Sequence, residues 1–218
     1  YGPNDNYNKM KLFYSKHLLE AGVDEVARGC LAGRVYSAAV IWPKELDPDL
    51  EIEHPVIKDS KKLSRKRRDY LVDYIEATAI DYSVGWAEAE EIDDINIQNA
   101  TYKAMHNAID GLNVGIDFLL VDGNKFNPYF DTDNNIVSHK CVIDGDNKYA
   151  SIACASIIAK VAHDNYIDTL CDENPELEER YGWRSNMCYG TPHHIAGIKE
   201  YGITSFHRKT FGICKNYC

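Results

Sequence analysis

The sequence lacks any long hydrophobic run. Nothing in its 218 residues approaches the roughly 18 apolar residues that a membrane-crossing helix needs, so no span is expected. Its opening, YGPNDNYNKMKLFYSKHLLE, lacks the charged-then-apolar order of a secretory signal. Seven cysteines are present but none forms a CxxC pair, which argues against a zinc site. Their odd number fits reduced thiols and a cytoplasmic placement, with a nuclear or viral setting left open. Internal repeats, low-complexity tracts and Gly/Ser linkers are all missing. Net positive charge is missing too: 24 Lys and Arg face 34 Asp and Glu, for a formal charge of −10, which excludes a general polyanion-binding coat. What remains, at 44% hydrophobic and 27% charged, is a chain able to bury the core of one globular domain, expected to be monomeric.

Charge is nevertheless uneven. KDSKKLSRKRR (58–68) packs seven cations into one stretch, either a solvated helix start or a phosphate-binding patch. Around it the hydrophobic periodicity sets out an ordered series. HLLEAGVDE (17–25) and GRVYSAAVIWP (33–43) read as strands joined through RGCLAG. Ser64 caps a helix over 65–79, and IDYSVGWAEA (80–89) alternates as a third strand. Asn96 caps a helix over 97–112 with Ile97, Ala100, Ala104, Ala108 and Leu112 on its apolar face. DFLLVDG (117–123) and SHKCVIDGD (138–146) are strands. A long helix over 150–171 carries Ile152, Ala155, Ala159, Ala162, Tyr166 and Leu170 inward, and Thr191-Pro192 starts a last helix. Strands first and alternation later predict an α/β fold, a mixed sheet flanked by helices. Residues 1–18 read as a polar lead-in, 19–212 as the catalytic domain with a helical part from about 172, and 213–218 as a short tail.

Three of these strands end in acids: Asp24-Glu25, Asp122 and Asp146. A lone Asp before Gly is ordinarily a turn residue. Three strand ends converging at one sheet edge are different, because that edge is where α/β sites form. Four carboxylates gathered there repel one another unless a hard divalent cation neutralises them. Two such ions activate a water against a phosphodiester.

GVDEVARGCLAG (22–33) resembles the opening signature of the ribonuclease HII family, the type 2 ribonucleases H. DSKKLS (59–64), EIDDINIQNAT (91–101), LLVDGN (119–124), GDNKYASIACASIIAKVAHD (145–164), YGT (189–191) and HRKTF (207–211) follow in the family's order. The resemblance covers roughly residues 20–212. It implies an RNase H-like fold with a C-terminal helical extension. It also implies an endonuclease using two Mg²⁺ or Mn²⁺ ions on RNA–DNA hybrids and on duplex DNA with embedded ribonucleotides, cutting 5′ of the ribonucleotide. The family's catalytic, metal-binding acids fall on Asp24, Glu25, Asp122 and Asp146, with Asp164 as an acid supporting them. The turn Ala27, Arg28 and Gly29 meets the 2′-hydroxyl and phosphates, Tyr189 stacks on the sugar, and Lys61 meets backbone phosphate.

Two positions depart from the family pattern. Its first turn glycine is Ala27, whose Cβ is expected to restrict the turn or crowd the sugar. Its HKGYGT reads NMCYGT (186–191). Both changes lie on the substrate side and point to weaker recognition of a lone ribonucleotide. His207 and Arg208 are either structural or in contact with the duplex. The alternatives are a hybrid-preferring ribonuclease HIII, which usually carries an extra N-terminal domain and lacks the tyrosine, a binding module that has lost catalysis, and an integrase or resolvase of RNase H-like fold. Retention of all four acids argues against the binding module, and nothing matches the substrate motifs of the integrases.

Overall fold

A computed structural model describes residues 10–47, 57 and 63–218. Its centre is a six-stranded sheet, ordered β3-β2-β1-β4-β6-β5, from β1 (Glu20–Val26), β2 (Val35–Ile41), β3 (Asp81–Ala87), β4 (Phe118–Asp122), β5 (Tyr129–Phe130) and β6 (Ile136–Val142). β1, β2 and β3 form an antiparallel meander, β4 joins β1 in parallel and β6 joins β4 in parallel. Asp24 therefore pairs with Ala38, while the parallel register carries Val23 alongside Val121 and brings the ends of β1 and β4 to one edge.

Two helices cover the two faces. On one lies α3 (Ile97–Asp110), capped by the Asn96 side chain and buried along Ala100, Ala104, Met105, Ala108 and Ile109. Its alanines let it sit so close that a Cβ on Gly85 of β3 would fall 2.3 Å from the Ala108 nitrogen. On the other lies α4 (Ala150–Glu173), where a Cβ on Gly22 of β1 would meet the Ser151 backbone at 2.4 Å. The expected inward stripe of α4 is too narrow. Every residue from Ala150 to Ala159 is buried, because α1 (Arg65–Thr78) packs on the outer side of α4 through Leu71 and Ile75. Past that point Ala162 is only half-buried, and His163, Asp164, Ile167 and Leu170 face inward.

Other boundaries shift for local reasons. β1 begins at Glu20 rather than at His17, because the amides of Tyr14 and Ser15 fold back to the buried Glu20 carboxylate at 2.5 and 3.0 Å. β3 stops at Ala87 because Glu88 and Glu91 form a capping box that starts α2 (Ala89–Ile95). Beyond α4, the short helices α5 (Glu176–Tyr181) and α6 (Trp183–Asn186) lead to α7 (Pro192–Tyr201), which Thr191 caps. These pack on the end of α4 through Leu177, Tyr181, Trp183 and Ile198. No helix among the described residues is long and apolar enough to cross a membrane.

The sheet–helix approach at Gly85 is testable. Gly85→Ala is expected to lower stability by about 2–3 kcal/mol through overpacking, read as a lower denaturant midpoint at unchanged slope. An unchanged midpoint would mean that α3 does not lie as close as described.

Candidate active site

The register of β1 and β4 sets the site. Asp24 is buried at the end of β1, Glu25 follows half-buried, and Asp122 ends β4. One carboxylate oxygen from each of these three lies within 4.8 Å of the others, a spacing suited to a metal ion. Burial, then the charges of Glu25 and Asp122, push the Asp24 carboxyl well above its ordinary range. Burial, then Asp146 and Glu25, push Asp122 up to about 6. A donor set of hard oxygens that cannot all stay ionised without a counter-charge fits a divalent cation.

Asp146 reaches this group by a different route from the strand end expected of it. β6 stops at Val142, and the chain turns through Asp144 in the left-handed region (φ 54°) into a 3₁₀ turn over Gly145–Asn147. The Gly145 N–H donates to Asp122 Oδ1 at 2.9 Å, which sets Asp146 beside Asp122 and outside the three-acid group. Asp164 stands apart from the acids. It pairs with Lys160 Nζ at 2.9 Å and Arg68 Nη2 at 3.2 Å, with His163 Nδ1 at 3.6 Å. Burial opposes its ionisation, but His163 and Lys160 outweigh that and hold its carboxyl below the usual range. Its visible work is to tie α1 to α4. That pairing also occupies part of the basic stretch, since Arg68 binds Asp164 and Arg65 binds Asp168. Lys61 lies outside the described residues.

A cleft of about 280 Å³ opens beside the acids on the α3 face, lined by Glu25, Arg28, Gln98, Tyr102, Asp122 and Lys125 among others. Lys125 escaped the sequence reading, although DGNK places a cation three residues after a catalytic-type acid. Past the acids the chain turns through Ala27, Arg28 and Gly29. Ala27 takes φ 72° with its side chain buried, so its methyl points into the core and not toward a ligand on the surface. The cost of this Cβ is therefore conformational, in a left-handed backbone that a glycine adopts freely. Tyr189 lies over the same turn: a Cβ on Gly29 would sit 3.9 Å from its ring, and its hydroxyl meets the Cys30 thiol and the Ala27 amide. Burial, then the Cys30 neighbour, keeps that hydroxyl a neutral phenol while the side chain stays partly exposed.

His207 and Arg208 are both buried, which settles the choice left open by the sequence. Arg208 is fully buried, with no carboxylate partner among the described residues. Its guanidinium donates to three carbonyls instead: Ala27 at 2.8 Å, Arg28 at 2.9 Å and Gly33 at 3.0 Å. His207 works on the other side. Its Nδ1 accepts from the Thr204 N–H at 2.9 Å, so its Nε2 carries the proton toward His194 Nε2 at 3.0 Å. His194 Nε2 also accepts from Trp183 Nε1, leaving its Nδ1–H to donate to the Tyr189 carbonyl at 3.0 Å. Burial, then His194, pushes His207 down to about 3, keeping the pair neutral in this one arrangement. Asn186 completes the frame, accepting from the Cys188 amide at 3.0 Å and donating to Tyr181 and Thr191.

Two measurements probe this geometry. Asp122 titrates above its unfolded value, so its favourable contribution is complete below about pH 4 and is lost as pH rises through about 6. In metal-free buffer at neutral pH, Asp122→Asn should thus be more stable than wild type by about 1 kcal/mol, a value discounted for partial exposure. The gain should vanish near pH 4, and a gain that persists there would remove carboxylate repulsion as its cause. Arg208→Lys, which cannot span the three carbonyls, should cost about 3 kcal/mol in denaturant unfolding.

Comparison with known proteins agrees with this geometry. The family model described as Ribonuclease HII matches residues 21–214. Ribonuclease HII of Bacteroides thetaiotaomicron is 46% identical over 201 residues, covering 92% of this chain and 93% of that protein. Ribonuclease HII of Christiangramia forsetii is 44% identical over 199 residues, 91% of this chain and 93% of that protein. Among solved structures, ribonuclease H2 from Pyrococcus horikoshii OT3 superposes with a TM-score of 0.70 at 22% identity, over 91% of this chain and 96% of that one, and shows the same fold. A mixed sheet ending in clustered acids, matched along nearly its whole length, places this chain in the ribonuclease HII family of ribonuclease H endonucleases.

Proposed function

We propose that the protein hydrolyses the phosphodiester 5′ of a ribonucleotide, in RNA–DNA hybrids and in duplex DNA with embedded ribonucleotides, leaving 3′-hydroxyl and 5′-phosphate ends. The observation that carries this reading is the three-carboxylate group of Asp24, Glu25 and Asp122 with Tyr189 fixed over the adjoining turn. Asp24, Glu25 and Asp122, with Asp146 beside Asp122, would hold the metal. When bound there, a pair of Mg²⁺ or Mn²⁺ ions supplies the charge that activates a water and stabilises the leaving oxygen. The Gly145 amide orients Asp122 for that role.

The rest of the chain orients the substrate. Arg208 takes up the carbonyls of Ala27, Arg28 and Gly33, which holds the exposed Arg28 and Gly29 of the turn for contact with ribose and phosphate. A 2′-hydroxyl is the group by which a protein tells RNA from DNA at one position. The part-exposed Tyr189 ring stacks on the neighbouring sugar, its main chain held by His194. Ala27 keeps the left-handed turn that a glycine adopts freely, so recognition of a lone ribonucleotide is retained, at a cost of about 1 kcal/mol in stability. All of these groups come from one chain, and the reading requires no second copy.

The test is cleavage of an end-labelled DNA duplex carrying one ribonucleotide, with Mg²⁺ and with Mn²⁺, beside all-DNA and RNA–DNA hybrid duplexes. A single cut 5′ of the ribonucleotide is expected. Asp146→Asn should lower kcat by about a thousandfold or more while the fold persists. Wild-type turnover in that variant would remove Asp146 from the reaction, and cutting of the hybrid alone would show that the turn at Ala27 fails to select a single ribose.

A further inference from the structure

A second cleft, of about 420 Å³ and basic in its lining, lies on the opposite face of the sheet from the Arg28 and Lys125 cleft, with Lys11, Lys140, Asn147, Lys148 and Tyr149 among its residues. The register fixes its side. Val142 pairs with Asp122, and Lys140, two residues earlier on β6, projects to the same face. That face belongs to α4, since Val142 packs against Tyr149 and Ile152. The first cleft includes Thr101 and Met105 of α3, which cover the other face. Glu25 and Asp122 line the first cleft, and Asn147 of the second directly follows Asp146.

The second cleft is built and not a chance gathering of surface lysines. The segment before β1 is bridged in parallel to the start of α4. The Lys11 N–H donates to the Lys148 carbonyl at 3.0 Å, and the Lys11 carbonyl accepts from the first amide of α4, Ala150, at 2.9 Å. This places Lys11 next to Lys148, and the Lys11 ammonium stands 5.9 Å from the Tyr149 ring. Lys140 stands 4.7 Å from the Tyr14 ring. None of the three lysines forms an ion pair among the described residues, in contrast to Arg65 and Arg68 of the basic stretch. On a chain of net charge −10, three unneutralised ammonium groups share one cavity whose wall residue Asn147 directly follows Asp146.

We infer that this cleft binds the phosphodiester backbone of the nucleic acid beyond the scissile position, so that substrate crosses the sheet edge from the cleft of the acids to the lysine cleft on the opposite face. The inference rests on the proposed nuclease reading. Such phosphate binding positions the duplex and carries no base sequence.

The experiment is fluorescence anisotropy of a labelled, ribonucleotide-containing duplex with metal-free protein, titrated across about 50 to 200 mM KCl, for wild type and for Lys11→Ala/Lys140→Ala/Lys148→Ala. Only exposed side chains are removed, and the main-chain bridge at Lys11 stays. Each phosphate that is no longer neutralised lowers the slope of log affinity against log salt by about 0.9, so a fall of about 2 to 3 is expected, with affinity on the order of tenfold weaker. The triple Lys→Arg variant should restore the slope, and Lys199→Ala on α7, outside both clefts, should leave it unchanged. In Mg²⁺ the loss should fall on KM rather than kcat. A triple-alanine slope equal to wild type overturns the inference while cleavage by the wild type leaves the nuclease reading standing. A wild type that binds the duplex with the expected slope but never cuts it overturns the nuclease reading alone.

Discussion

One buried guanidinium carries the arrangement of the substrate side. Arg208 is fully buried with no carboxylate partner among the described residues, a costly state for a cation. Its charge is met by carbonyl dipoles at Ala27, Arg28 and Gly33, all about 180 residues away in sequence. The seam around it continues that connection: the Leu31 amide donates to the Cys188 carbonyl, the Arg208 amide to the Leu31 carbonyl and the Gly33 amide to the Phe206 carbonyl. The turn after β1 is therefore not an independent loop. It is a piece of main chain stitched to the C-terminal segment, and Tyr189 is stitched to the same segment through His194 and His207. The acids, by contrast, depend on the pairing of β1 with β4. Two halves of one site rest on separate physical supports.

Charge is organised by the same separation. Four acids repel one another at the sheet edge, where Asp24 and Asp122 are hard to ionise. The cations flanking that edge are Arg28 and Lys125 on one face and Lys11, Lys140 and Lys148 on the other. Local arrangement, and not the net value, decides how a polyanion meets the surface. Cations of the conspicuous stretch near α1 are partly spent on internal pairs with Asp164 and Asp168, so density of charge in sequence overstated what that helix offers to a ligand.

Much of this was legible in the sequence. Period-two and period-3.6 patterns placed five strands and the three longest helices, and Ser64, Asn96 and Thr191 cap helices as their positions suggested. Three acids could be brought together on paper because each closes a β-like run. Asp146 shows the limit: its run also reads as a strand to the end, but the left-handed Asp144 breaks it, and a local turn does what strand pairing was expected to do. α2 went unread because its apolar positions are few and its start is a Glu–Glu capping box. The buried stripe of α4 was misjudged because a helix covered on two sides has no single apolar face. Arg208 and His207 stayed ambiguous because charged residues are ordinarily exposed, and only their three-dimensional neighbours reveal the exception.

Ala27 and Cys188 hold φ values of 72° and 71° without being glycine. Both are buried in one cluster, and both flank Tyr189 in space or in sequence. Their left-handed backbone is imposed from outside, by the Arg208 donors on one and by the Asn186 side chain on the other. Where tertiary bonds dictate a dihedral angle, the residue's own preference becomes a small penalty instead of a requirement. A lineage holding such bonds can lose the glycines of its signature while keeping the shape they once secured, so the letters of the motif erode sooner than its geometry.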